Sequence, residues 1–251
     1  MRQIFIGDVH GMLDELISLI EKLKLRDDDT IIFVGDLLDK GPDSVGVVQQ
    51  VRMLSTTYNV ILVMGNHEDT HSRYRKHTVQ NPTTANAMAS NKPELHPITS
   101  NLSPHDIVFL DTAVPFYRAH CNILVVHGGI TGDRRTFPAT VQQALAFTGK
   151  DKRRFKLIMR TRFVDRATGH FLSLGEEKLG DPFWAEVYDG RFGHVIFGHQ
   201  PFMDGVQHFD YATGIDTGAV FGGGLTALVV DEDCSRTVIS VESRQYKEPR
   251  P

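Results

Sequence analysis

Five short polar clusters carry residue types suited to metal and phosphate chemistry. They are Gly7-Asp8-Val9-His10-Gly11, Gly35-Asp36-Leu37-Leu38-Asp39-Lys40-Gly41, Gly65-Asn66-His67-Glu68, His127-Gly128-Gly129 and Gly198-His199. Singly, each is an ordinary turn, because Gly and Asp are favoured wherever a chain reverses. Together they offer carboxylate oxygens, an amide oxygen and imidazole nitrogens, the mixed O/N donor set preferred by Mn, Fe and Zn. Two metal ions about 3.5–4 Å apart can clamp the attacking and leaving oxygens of an in-line displacement and lower the pKa of a water. A histidine beside such a ligand, as His67 is beside Asn66, can donate a proton near neutral pH.

The elements that must position these residues are visible around them. Apolar runs at Ile4 to Ile6, Ile31 to Val34, Val60 to Met64, Ile123 to Val126 and Val195 to Phe197 end where the five clusters begin. Each reads as a buried strand. Side chains at the carboxyl ends of neighbouring parallel strands converge on one crevice, so residues distant in sequence can meet there. Between the first two strands, Leu13, Leu16, Ile17, Ile20 and Leu23 recur at helical steps within Met12 to Leu23. A second helix is expected after Pro42, where Val45, Val48 and Val51 recur, because Pro is favoured at a first helical turn. Ser103-Pro104-His105-Asp106 predicts an N-cap and first turn leading into Ile107 to Leu110. Near the end, Thr226 to Val230 and Thr237 to Val241 flank a turn at Asp231 to Ser235, the pattern of a hairpin. Residues 71–101 lose this periodicity and are rich in Asn, Thr, Ser, Ala and His with three prolines, so a loop-rich insertion with one short helix is expected.

Length and composition bound the possibilities. A chain of 251 residues is expected to form a single domain, 1–251, and 41% hydrophobic with 23% charged residues fits an ordinary globular protein. A net charge of −4 argues against a surface for non-specific nucleic-acid binding, which needs clustered positive charge. Cys121 and Cys234 have no C-x-x-C spacing and are too few for a disulfide framework, which predicts reduced thiols. The opening Arg2-Gln3-Ile4-Phe5-Ile6 shows no basic-then-apolar leader, so no secretory signal and no membrane segment are expected, with the cytoplasm as default.

Motif by motif, the five clusters resemble the phosphoprotein-phosphatase branch of the calcineurin-like metallophosphoesterases, read as GDxHG, GDxxDRG, GNHE, HGG and GH. The resemblance implies an α/β fold of two mixed β-sheets flanked by helices, an α/β/β/α sandwich. It also implies two divalent transition-metal ions, manganese first, with iron or zinc as alternatives. Asp8 and His10 would hold the first ion, Asp36 would bridge, and Asn66, His127 and His199 would hold the second. His67 would be the proton donor to the leaving group and Asp39 its orienting carboxylate.

Phosphate also needs cationic partners. Lys40 stands where the family pattern usually has arginine, and Lys40 and Asn66 are both expected to contact the substrate phosphate. Arg160 and Arg162 form an Arg-x-Arg-Phe stretch similar to one in bacterial diadenosine-tetraphosphatase-like members. The neighbouring Lys152, Arg153, Arg154 and Lys156 are read as a basic face, with function placed only on Arg160 and Arg162. Lys40-Gly41-Pro42, Asp181 to Ala185 and Gly214 to Gly218 are also similar to ApaH-like and nucleoside-tetraphosphatase groups, although Asp39 is retained where some ApaH-like members carry a neutral residue. The expected activity is hydrolysis of phosphoester or phosphoanhydride bonds in dinucleoside polyphosphates or nucleotide-capped RNA ends. A broad Ser/Thr phosphatase acting on phosphoproteins is the alternative.

Overall fold

Strand β1 (Gln3–Ile6) is buried on both faces, which is why its sequence is a continuous apolar run instead of an alternation. Ile4 and Ile6 pack under α1 (Leu13–Leu23) and α2 (Ser44–Leu54), whereas Phe5, pointing the other way, enters a different core. Strands β2 (Thr30–Phe33) and β3 (Asn59–Leu62) continue the sheet in parallel register, Gln3 opposite Thr30 and Thr30 opposite Asn59. The structure, a computed structural model, is described for residues 1–243.

After β3 come α3 (Asn66–Gln80), α4 (Pro82–Asn91), α5 (Leu95–Asn101) and α6 (Pro104–Leu110). The chain then forms β4 (Tyr117–Ala119), β5 (Ile123–Val125), α7 (Val141–Leu145), α8 (Gly149–Phe155) and β6 (His194–Phe197). It finishes with β7 (Gln207–Phe209), β8 (Ala212–Gly214), β9 (Gly224–Val230) and β10 (Arg236–Glu242). One sheet has the order β10-β9-β1-β2-β3 and the other β4-β5-β6-β8-β7, each mixing parallel and antiparallel pairs. Phe5, Ile32 and Val34 of the first sheet pack against Ile123, Val125 and Ile196 of the second, giving the inner β/β layer. Helices α1 and α2 cover the outer face of one sheet, and Phe155, Ile158 and Trp184 cover the outer face of the other. This is the expected α/β/β/α sandwich of two mixed sheets.

The helices expected as α1, α2 and α6 and the β9-β10 hairpin are present, but the buried face of α1 runs through Leu16, Leu19 and Leu23, and Ile17, expected on it, is exposed. Asp43 caps α2 by accepting from the Gly46 amide, and Ser103 caps α6 by accepting from the Asp106 amide. Trp184 is a fully buried core aromatic stacked edge-on against Phe197.

Two expectations need correction. Residues 71–101 are helical, not loop-rich: they comprise most of α3 together with α4 and α5. Pro82 sits at the start of α4 and Pro97 in the first turn of α5, positions where proline begins a helix instead of breaking one. The apolar signal is faint because these helices share only a small core, Tyr74, Ala85 and Leu95. The cysteines are also not free: Cys121 and Cys234, 113 residues apart, form a disulfide. Two turns bring them together, one before β5 and one between β9 and β10, and His120 spans these turns through a contact with the Asp231 carbonyl oxygen at 3.1 Å.

The disulfide therefore ties a turn of one sheet to a turn of the other. Replacing both cysteines by serine should lower the unfolding free energy by about 2–5 kcal/mol, as expected for opening a long covalent loop. Denaturant titration of the wild-type and serine proteins reads that loss directly; superimposable curves would show that the tie contributes nothing.

Candidate metal centre and active site

The first, second and fifth polar clusters leave their strands through strained backbone. His10, Asp36, Asp39, Lys40 and His199 all have positive φ, between 46° and 70°, without being glycine. Such conformations cost of order 1–3 kcal/mol each and persist where surrounding contacts over-determine them. Those contacts are identifiable. Glu68, in the first turn of α3, accepts from the amides of Asp36 and Leu37 at 2.8 Å and of Gly65 at 3.1 Å. Glycine is required around them for space as well: a Cβ on Gly65 would lie 2.2 Å from an Asp36 carboxylate oxygen, and one on Gly198 would lie 2.0 Å from Asp8.

The turns aim their side chains at Asp36, which is 1% exposed. Its Oδ2 lies 3.6 Å from His10 Nε2, 3.8 Å from His67 Nε2 and 3.2 Å from His127 Nε2, while Oδ1 accepts from the His67 amide. His10, Asp36 and His67 form one group with donor atoms close enough to share an ion, and Asp36, His127 and His199 form another. Asp36 belongs to both. Asn66 Oδ1 is 3.1 Å from His127 Nε2, and Asp8 is 3.9 Å from His10 Nε2 while its carboxylate accepts from the His199 amide.

The residues present fit cations on independent grounds. His10 Nδ1 donates to the Leu38 carbonyl oxygen, which leaves its Nε2 lone pair facing inward, where the Lys40 ammonium approaches to 3.1 Å. Among the described residues His199 Nε2 is buried without a hydrogen-bond partner, an arrangement that costs free energy unless something binds it. His127 Nδ1 donates to the Val34 carbonyl oxygen, fixing that ring with Nε2 toward Asp36.

The charges in this metal-free site are strongly perturbed. Burial works against charge on His127, but Asp36 and Asp8 outweigh it and raise its pKa to about 9. Burial, with Lys40 and His67, holds His10 well below the usual histidine range, and burial with His127 does the same to His199. Burial also pushes Asp8 up, helped by the nearby Asp216 carboxylate, whereas for Asp36 the surrounding histidines overcome burial and hold the carboxyl down.

His67 Nδ1 donates to Asp39 Oδ2 at 2.5 Å, which brings together the expected proton donor and its carboxylate. The second oxygen of Asp39 meets His71 Nε2 at 2.7 Å, and His71 Nδ1 reaches Thr99 Oγ1 at 2.9 Å. Against the opposing pull of burial, these two histidines keep Asp39 well below the ordinary carboxylate range. Of the expected phosphate contacts, Lys40 and Asn66 lie within the cluster. Arg162 is half-buried and donates to the His199 carbonyl oxygen at 2.7 Å, whereas Arg160 lies farther out, 3.8 Å from Asp69.

Three buried residues of the site had no role in the sequence reading. Glu68 stands three residues after Gly65, the capping-box spacing that signals a backbone-holding carboxylate. His71 is four residues after His67 and hence on the same helix face. Asp216, 4% exposed and accepting from the Gly218 amide, lies within a quoted motif but is brought to the site only by the second sheet.

With this geometry, the relationship to known proteins is clear. Residues 1–203 match the model of the calcineurin-like phosphoesterase family. The chain belongs to that family and is a hydrolase; the family uses a dinuclear metal centre. It is 29% identical to the asymmetrical bis(5'-nucleosyl)-tetraphosphatase PrpE of Oceanobacillus iheyensis, over 98% of this chain and 94% of that one. It is 30% identical to the Bacillus velezensis protein of the same name, over 95% and 91%. A solved structure provisionally named a diadenosine tetraphosphatase superposes with a TM-score of 0.69 at 26% identity, covering 97% of this chain and 94% of that one.

If His127, whose pKa Asp36 and Asp8 raise to about 9, is a metal ligand, it must bind as the neutral imidazole, and metal loading should release a proton at pH 7. Apparent affinity should therefore fall as pH falls below that value, by about tenfold per unit for each proton displaced. Calorimetric titration of manganese in buffers of different ionisation enthalpy counts the protons. Buffer-independent heats would remove His127 from the ligand set.

Proposed function

We propose that this protein hydrolyses phosphoanhydride or phosphoester bonds in dinucleoside polyphosphates and related nucleotides. The observation that supports this best is the gathering of the other five expected donors around Asp36, in a chain that aligns with named tetraphosphatases over nearly their whole length. In this reading Asp8, His10, Asp36, Asn66, His127 and His199 would hold two divalent ions, Asp36 belonging to both donor groups. Manganese is the first choice, because the donors are oxygen and nitrogen without thiolate. The ions would supply Lewis-acid polarisation of the phosphoryl group and a water of lowered pKa.

The chain's own groups complete the chemistry. His67, held through Nδ1 by Asp39, presents its Nε2 to the leaving oxygen and donates the proton. Asp39 stabilises the charged imidazole, and His71 with Thr99 fixes the other face of that carboxylate. Lys40 and Arg162 neutralise phosphate charge from opposite motifs, with Arg160 a further contact toward the rim. A planar guanidinium offers two parallel donors, whereas Lys40 contributes a point charge.

A manganese-supplemented panel of diadenosine tetraphosphate, capped RNA and a phosphoserine peptide tests the substrate class. Diadenosine tetraphosphate should be cleaved fastest, and asymmetrical cleavage would give ATP and AMP instead of two ADP. Preference for the phosphopeptide would overturn the proposal in favour of a protein phosphatase.

His67→Asn should leave both metals bound while lowering kcat by roughly 10²–10⁴, the range for losing a positioned general acid. The deficit should shrink for nitrophenolate, which departs without a proton. Since His67 Nε2 is also 3.8 Å from Asp36, metal analysis of the same variant is decisive: loss of an ion would make His67 a ligand. Arg162→Lys should cut kcat/KM by about ten- to a hundredfold if its fork holds phosphate, and steady-state kinetics on diadenosine tetraphosphate would show it.

A further inference from the structure

Beside the metal-facing residues lies a groove of about 670 Å³, within the roughly 300–1,000 Å³ of ordinary ligand sites. One wall is α3 with the end of α4 and the start of α5; the other is α8 with the 3-10 turn Lys156–Met159 and Arg160. The groove adjoins the site at two points. Thr70, on its edge, donates its hydroxyl to the Asn66 carbonyl oxygen at 2.7 Å. The backbone of Arg160 packs so closely on Gly128, the neighbour of His127, that a Cβ there would lie 2.8 Å from its amide nitrogen.

Five cations line this groove, Arg73, Lys92, Arg153, Lys156 and Arg160, against the single carboxylate of Asp69, in a chain whose formal net charge is −4. Lys156 spends its charge on Asp69. Among the described residues, Arg73, Lys92 and Arg153 have no ion-pair partner, although they come from α3, the C-cap of α4 and α8. A solvated basic face spreads its charges outward. Here like charges from separate elements surround one concavity, where self-repulsion is relieved by a bound anion.

We propose that this groove binds the uncleaved part of the substrate, the phosphates of a polyphosphate chain that extends away from the metal centre. The inference rests on the reading of the site as a phosphoanhydride hydrolase. It gives the helical insertion a function: α3, α4 and α5 carry one charged wall of a chain-length filter. Met88, Leu95 and Leu157 give the same groove an apolar side suited to the nucleoside beyond the phosphates.

The test uses Arg73→Gln, Lys92→Gln and Arg153→Gln combined, with saturating manganese. Hydrolysis of p-nitrophenyl phosphate, too short to reach the groove, should stay within about twofold of wild type. Inhibition of that reaction by tripolyphosphate should weaken by about tenfold or more, the scale of losing charged hydrogen bonds, while inhibition by orthophosphate is unchanged. Chelation of manganese by tripolyphosphate acts equally on both enzymes, so the ratio of their inhibition constants reads the groove. KM for diadenosine tetraphosphate should rise by a similar factor, and Arg73→Lys with Arg153→Lys, which keeps the charges, should behave as wild type. Equal inhibition of variant and wild type by tripolyphosphate would overturn the proposal, as would equal weakening for orthophosphate or loss of p-nitrophenyl phosphate hydrolysis. Failure of the wild type to cleave diadenosine tetraphosphate would instead overturn the substrate reading, and the tripolyphosphate ratio would still judge the groove.

Discussion

The carboxylate of Asp36 is almost fully buried, faces the Nε2 atoms of three histidines through one oxygen and accepts a backbone amide through the other. A buried charge of this kind is tolerable only when it is compensated, and the arrangement of the fold supplies the compensation. Strand β2 delivers Asp36 through a left-handed turn, and Glu68 holds that turn by accepting its amides. Strand β1 brings His10, the start of α3 brings His67, and the second sheet brings His127. The β/β packing of Phe5, Ile32 and Val34 against Ile123, Val125 and Ile196 is therefore what aligns the two halves of the site.

Positive φ at five non-glycine site residues shows where this organisation is costly. The strain is offset by contacts that are themselves part of the site: the Glu68 hydrogen bonds, the Ser44 hydroxyl on the Asp39 amide and the His199 amide on Asp8. Function and local stability are thus carried by the same side chains. Glu68 and His71, which touch no reacting atom, are consequently as firmly placed as the residues they support.

The sandwich also separates two kinds of cation. Lys40 and Arg162 are drawn against the acidic centre, one beside His10 and one against the His199 carbonyl oxygen. Arg73, Lys92 and Arg153 are held apart from it on the insertion and on α8. Geometry thus keeps the cations at the centre apart from those lining the groove.

The sequence by itself determined the parts that depend on neighbouring residues. Apolar runs ending in Gly-Asp, Gly-Asn or His-Gly marked strand ends, helical periodicity marked α1 and α2, and Ser103-Pro104 marked α6, because burial on a strand or helix face imposes a short-range pattern. The tertiary structure alone decided what long-range packing controls. It paired Cys121 with Cys234 across 113 residues, since turns from different sheets meet only after the sheets stack. It made 71–101 helical, because α3 begins with polar residues buried by the site and its companions share only a few apolar contacts, too few to print a periodicity. It brought Asp216 to Asp8 and set Arg162 nearer the centre than Arg160, for two arginines one residue apart are alike in sequence and differ only in what surrounds them.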